Sequence, residues 1–199
     1  MTKNIDIVFA TRNAGKIKEV QKFFVNSSYN ILSLDDVGVD VHVIENGDTF
    51  EANATKKARE ICDACGKIVL ADDSGLIIDA LDGELGVDSA NFLGTDTPYG
   101  VRNAKILEML ADVPDDGRTA RFVCVIAIAR PDQEVVLERA ELQGRIAYAA
   151  AGESGFGYDP IFFVPQYGIT MAQMNMVQKN EISHRGQALR LIRDRLEEL

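Results

Sequence analysis

The chain has 199 residues, 46% hydrophobic and 26% charged, and its 21 Lys+Arg against 31 Asp+Glu set a formal charge of −10 at pH 7. A chain of this length buries about 70% of its unfolded surface and reads as a soluble protein of about one domain, with room for two lobes. Disorder and collagen-like structure are excluded, and the acidic balance argues against nonspecific nucleic-acid binding.

The charge is unevenly placed. Residues 1–25 hold five basic and two acidic groups, a local +3, whereas residues 26–110 hold six basic and sixteen acidic groups, a local −10. A cation-rich start ahead of a carboxylate-rich centre suits an anionic ligand that arrives with a divalent metal; solvated acidic faces are the other reading, and composition leaves both open.

In chain order, Ile5-Asp6-Ile7-Val8-Phe9-Ala10 reads as a buried strand and is too short for a signal-peptide core. No run approaches the ~20 apolar residues of a membrane span, so the expected setting is cytoplasmic, without a membrane partner, and with Cys62, Cys65 and Cys124 as reduced thiols. Residues 15–27 follow as a helix with Ile17, Val20, Phe23 and Phe24 on one face, then 30–34 as a strand and 49–65 as a helix. Asp48 and Glu51 fit a capping box at the start of that helix, and Lys56, Lys57 and Arg59 fit a solvated basic face on it. Cys62 and Cys65 close the helical pattern, the wrong end for a redox pair, so they read as core packing. Residues 67–72 form a strand entering a turn, Leu76-Ile77-Ile78 resumes extended structure, and Pro98 opens a helix through Ile106, Leu107 and Leu110. The apolar run 119–129, a turn at Pro131-Asp132-Gln133 and a partner strand over 134–147 imply antiparallel pairing. A glycine-rich loop at 152–157, a short strand at 161–164 and an amphipathic helix over 184–198 complete the chain. Ser183 is the candidate N-cap of that helix, and Ala188, Leu189, Ile192 and Leu196 face inward. The class is α/β with a mixed sheet.

Five segments could carry chemistry. Thr11, Arg12, Asn13, Ala14, Gly15 and Lys16 lie between a strand and a helix, where amide groups, the helix dipole and a lysine make a phosphate cradle; an ordinary turn is the alternative. Asp72 and Asp73 end an apolar strand on opposite sides of the chain, and their repulsion needs a cation if they are buried; an Asp-Ser-Gly turn is the alternative. Glu45 lies outside the cap and is available as a ligand. In Gly152–Pro160, Phe156 between glycines offers a ring face for a base and Asp159 an acceptor for a base N–H, against a packed loop corner. Finally, His184 and Arg185 fall in a helix's first turn beside Ser183.

Together these segments resemble the inosine triphosphate pyrophosphatase family, the noncanonical purine nucleoside triphosphate pyrophosphatases. The resemblance rests on Thr11–Lys16, Asn53-Ala54 with Lys57-Ala58-Arg59, Ala71-Asp72-Asp73-Ser74-Gly75-Leu76, Gly155–Phe162 and Ser183-His184-Arg185, five motifs in the family's order. It departs from the family pattern at Ala52 and Asn91. The resemblance implies an elongated mixed sheet flanked by helices in two lobes with a nucleotide cleft between them, and a homodimer. It implies Mg2+-dependent hydrolysis between the α- and β-phosphates. Asp73 would be proton acceptor and metal ligand, and Glu45 the second ligand. Thr11 to Lys16 would bind the triphosphate with Lys57, while Ser74, Phe156, Gly157, Tyr158, Asp159, Lys179, His184 and Arg185 complete the substrate site. Three rival readings remain: a related pyrophosphatase with another base preference, a nucleotide sensor without turnover, and a thiol redox protein built on Cys62 and Cys65.

Overall fold

A computed structural model describes residues 5–81 and 84–198. Among the described residues seven strands form one mixed sheet in the order β2-β1-β3-β4-β5-β6-β7. They are β1 (Ile5–Phe9), β2 (Tyr29–Leu32), β3 (Ile68–Ile78), β4 (Thr119–Ala129), β5 (Val136–Ile146), β6 (Phe162–Val164) and β7 (Ile169–Thr170). The helices are α1 (Ala14–Phe24), α2 (Phe50–Cys65), α3 (Tyr99–Met109), α4 (Met176–Ile182) and α5 (His184–Glu197). The chain forms two compact units, one through Asp73 and again over Cys124–Ala140 and from Arg185 onward, the other over Ser74–Val123 and Glu141–His184.

In the first unit β1 pairs in parallel with β2, Ile7 opposite Ile31, and with β3, Phe9 opposite Leu70. Parallel neighbours need crossovers, and α1 and α2 supply them. Ile7, Phe9, Ile31 and Leu70 pack with Val20 and Phe24 of α1 and with Ala188, Leu189 and Ile192 of α5. The helix faces expected from the sequence are therefore the buried ones. Ala54, Ala58, Ile61 and Cys62 are the buried stripe of α2.

In the second unit β6 pairs antiparallel with both β5 and β7. Its core joins Leu76 and Ile78 of β3 to Ile106, Phe122, Ile146, Tyr158 and Phe162. The turn expected at 131–133 lies in the first unit and is present, with Asp132 left-handed at φ 57°. It is held by Arg59, which donates to the carbonyls of Arg130 and Gln133. No helix among the described residues is long and apolar enough to cross a membrane.

Two local expectations are corrected. The Asp-Ser-Gly sequence makes no turn: β3 runs unbroken from Ile68 to Ile78 as a strand of the sheet, continuing past Leu70, where its pairing with β1 ends; membership of the sheet overrides local turn preference. The cap of α2 is Thr49, whose side chain accepts from the Ala52 amide, while Glu51 pairs with Arg139 at 2.8 Å. Residue 52 is the third helical position, so the Asp48–Glu51 spacing is out of register by one. Helix α4 and the two-residue β7 had no separate signal in the sequence; Asn175 caps α4 through a capping box with Gln178.

Candidate active site

The two acidic neighbours of β3 face opposite ways, as alternation along a strand demands. Asp72 shares its face with Leu70, toward α1 and α5, and is fully buried. Its Oδ2 accepts from Lys16 Nζ at 2.9 Å and from Arg185 at 3.2 Å, and Arg185 Nη1 donates to Glu19 at 2.8 Å. Burial alone would raise the Asp72 carboxyl, but Lys16, Arg185 and Lys57 outweigh it and hold the group far below the usual carboxylate range. Arg185 is raised in turn, because the Asp72 charge overcomes its own burial. Two acids and two bases thus form a charge-balanced cluster at the base of α1.

Asp73 faces α2, where its Oδ2 accepts from Asn53 Nδ2 at 3.1 Å. Burial is the dominant influence on it and, reinforced by the Glu45 charge against Lys57, Asn53 and Lys16, pushes its pKa up to about 6. Asn53 also accepts from the Gly47 amide at 2.8 Å. One helical amide side chain therefore ties the Glu45 loop to Asp73. A Cβ on Gly47 would stand 2.8 Å from that of Ala52, so this close crossing requires glycine and a small residue at 52. Asn53 entered the sequence reading only through the resemblance; a polar residue on the apolar stripe of Phe50, Ala54 and Ala58 was the available signal.

Lys57 is not part of a solvated basic face. Its ammonium is mostly buried and donates to Glu45. Ala10, Thr11, Arg12, His42, Glu45 and Lys57 border a cavity of about 180 Å3, which brings the phosphate-cradle segment and the Glu45 loop together. In that segment Asn13 caps α1, its Oδ1 accepting from the Gly15 and Lys16 amides at 2.9 and 3.2 Å. Those two amides are already satisfied, so the positive character of the segment rests on the helix dipole and on Lys16. Ala14 and the half-buried Thr11 flank the cap, and Arg12 reaches out to Asp40. Glu45 and Asp73 are hard oxygen donors. No group of three or more His, Cys, Asp or Glu converges among the described residues, so only a cation satisfied by one or two carboxylates fits here.

The second unit holds the other candidates. Lys179 of α4 donates to Asp159 Oδ2 at 2.8 Å, and the Phe156 amide donates to the same oxygen at 2.9 Å. The Lys179 ammonium lies 4.8 Å from the centre of the Phe156 ring, over its face. Glycine is required at 155: its φ is 79° and a Cβ would fall 2.1 Å from Asp159 Oδ2. Gly157 accepts on its carbonyl from Asn103, and the buried Tyr158 donates to the Ser89 carbonyl at 2.5 Å. Burial pushes the Tyr158 phenol up to about 12. Ser74 is half-buried on β3, and His184 stacks on Phe122 at the first residue of α5.

The cysteine motif behaves as core. Cys62 and Cys65 are unbridged in the last turns of α2, and burial raises the Cys62 thiol. That is the opposite of what a redox thiolate needs.

The description Ham1 family matches residues 7–195. A dITP/XTP pyrophosphatase of Exiguobacterium sibiricum is 46% identical over 184 residues, 92% of this chain and 93% of that protein. Among solved structures, the Staphylococcus aureus Ham1 protein is 40% identical with a TM-score of 0.86, over 97% of this chain and 98% of its own. A HAM1 protein from Coxiella burnetii is 38% identical with a TM-score of 0.88, over 98% and 100%. With its mixed sheet, its motifs in order and these matches over nearly its whole length, the chain belongs to the Ham1 family.

Proposed function

We propose that this enzyme hydrolyses noncanonical purine nucleoside triphosphates, ITP, dITP and XTP, to the monophosphate and pyrophosphate, and so cleanses the nucleotide pool. The observation that carries the chemistry is Asp73, a buried carboxylate pushed up to about 6, close to the pH at which a general base works best. Water attacks phosphorus, its proton passes to Asp73, and the phosphoanhydride bond breaks with its electrons leaving on pyrophosphate. Such hydrolysis needs charge neutralisation and an aligned nucleophile more than covalent help. Lys16 and Lys57 supply cationic charge, the segment Thr11 to Lys16 takes the triphosphate, and Asn53 keeps the Asp73 carboxylate oriented.

Glu45 and Asp73 would hold Mg2+, an ion that takes one or two carboxylates and completes its shell with water and phosphate. When bound, the ion neutralises phosphate charge and acidifies water. Glu45 would hold the ion in place of its Lys57 partner, and Lys57 would then be placed to pair with a phosphate oxygen.

Base selection follows from hydrogen-bond complementarity. Inosine and xanthosine carry a 6-keto oxygen and an N1–H; adenine carries an amino group and an unprotonated N1. Lys179 and His184 act as donors to the keto oxygen, Asp159 accepts from N1–H, and Phe156 with Gly157 and Tyr158 provides the stacking surface, with Ser74 alongside. Adenine would leave these polar groups unmatched. Arg185 is assigned to holding Asp72, since its guanidinium lies against Asp72 and Glu19. We place the enzyme in the cytoplasm, in keeping with its free cysteines, and as a homodimer, as the resemblance implies.

The test is a panel of ITP, XTP, dUTP and ATP with Mg2+, with pyrophosphate and orthophosphate measured separately. Pyrophosphate from ITP and XTP, with little from ATP, is the expected result. Orthophosphate as the product, preference for dUTP, or binding without turnover each overturns the proposal.

A further inference from the structure

Phe122 takes no part in the chemistry above, yet its ring is the middle of a three-ring stack. On β4, it lies 4.2 Å from the ring of Phe162 at an interplanar angle of 29°, and 4.8 Å from the imidazole of His184 at 21°. Phe162 is fully buried in the core of the second unit, and Phe122 and His184 are each more than nine-tenths buried. The stack links a core ring to a histidine.

A histidine's outer torsion has a broad, two-fold profile, so packing and not intrinsic rotamer preference decides the plane of its ring. Both ring nitrogens lie in that plane, and the direction in which they donate is set with it. The corner that carries His184 is also braced: the Ser183 amide donates to the Lys179 carbonyl at 2.8 Å, and Lys179 is held by Asp159. The backbone at this corner is placed by α4, and the Phe122 face lies against the imidazole.

We infer that Phe122 is a specificity-determining positioning residue: its ring fixes the plane of the His184 imidazole and thereby aims a donor at the 6-keto oxygen of the purine. This rests on the assignment of His184 to the base edge made above. Phe122→Leu keeps apolar volume but has no planar face; Phe122→Tyr keeps the face. In the ligand-free protein Phe122→Leu abolishes the upfield ring-current displacement of the His184 proton resonances, and Phe122→Tyr retains it. With only two histidines in the chain the signals are assignable through His184→Ala.

In turnover, Phe122→Leu raises KM for ITP by about 5–10-fold, the cost of a lost aromatic pair and a loosened donor. It leaves kcat within about twofold and leaves kcat/KM for ATP unchanged, so the ITP-to-ATP preference falls in proportion. Phe122→Tyr restores it. A folded Phe122→Leu protein with the ITP-to-ATP ratio of the wild type overturns the inference and leaves the function standing. Equal losses for ITP and ATP do the same, since they mark Phe122 as mere core. A wild-type protein that releases no pyrophosphate from ITP, or His184→Ala with unchanged preference, takes down the base-site reading and this inference with it.

Discussion

Asp72 and Asp73 are adjacent on one strand and have opposite proton affinities. Lys16 and Arg185 overcome the burial of Asp72 and hold it ionised, while burial beside Glu45 pushes Asp73 up to about 6. Strand alternation makes the separation possible: one carboxylate faces α1 and α5, the other faces α2. One acid organises the cations, and the other is the proton acceptor we propose.

Asp72→Asn removes a buried charge that Lys16 and Arg185 both face, and should cost about 3–5 kcal/mol of unfolding free energy at pH 7. The folded carboxyl titrates below the unfolded one, so its contribution is complete above the unfolded value of about 4 and fades as pH falls beneath it. Urea unfolding at pH 7 and pH 3 should show the gap between wild type and variant narrowing in acid. A gap independent of pH would contradict the ion-pair assignment.

For Asp73→Asn the sign reverses. The folded pKa of about 6 lies above the unfolded value of about 4, so ionisation costs the native state roughly 2–3 kcal/mol above pH 6 and nothing below pH 4. Asparagine retains an acceptor for Asn53 and carries no charge. In metal-free protein the variant should be more stable than wild type by about 2 kcal/mol at pH 8, with equality approached near pH 4. Pyrophosphate release should fall by a factor of about 100 or more, as expected for loss of a general base. Thermal melts across pH, with product assays beside them, check both halves.

Arg185 and His184 are sequence neighbours with separable roles. Arg185→Ala should lower stability through the buried partners it abandons, Asp72 and Glu19, while the ITP-to-ATP preference of the surviving folded protein stays near the wild-type value. His184→Ala should do the reverse, losing about tenfold in preference, the worth of one hydrogen bond. Competition assays with both nucleotides in one tube distinguish the two.

Gly155→Ala sets a Cβ against Asp159 Oδ2 in a left-handed backbone, so the carboxylate that holds Lys179 must move. KM for ITP should rise at least about tenfold. Gly38→Ala is the control: φ is 66° and nothing stands within 4 Å of the new Cβ. It should cost about 1 kcal/mol of stability and leave KM unchanged.

Much of the candidate site was legible because local rules carry it. The strand-to-helix segment ending at Lys16 and the glycines around Phe156 stand out by local spacing, although spacing alone left an ordinary turn and a packed loop corner open. Phe122 was not legible, because a strand aromatic looks like any other until its partner, 62 residues on, is known, and Asn53 was singled out by its motif while its partner, 20 residues on, stayed hidden. The Asp-Ser-Gly turn was misread for the same reason. Sequence shows the turn formers but not the sheet that keeps β3 extended through them.

By itself, the amino-acid sequence determined the α/β class, the buried faces of α1 and α5, and the family, since each follows from periodicity or from motifs fixed in order. Tertiary structure alone decided that Lys57 is bound to Glu45, that Arg185 serves Asp72, and that two neighbouring aspartates differ in proton affinity. Charge and burial act through space: the pKa of a carboxylate depends on what lies within a few ångströms of it, and Lys16, Asn53, Lys57 and Arg185 reach Asp72 and Asp73 from three separate helices.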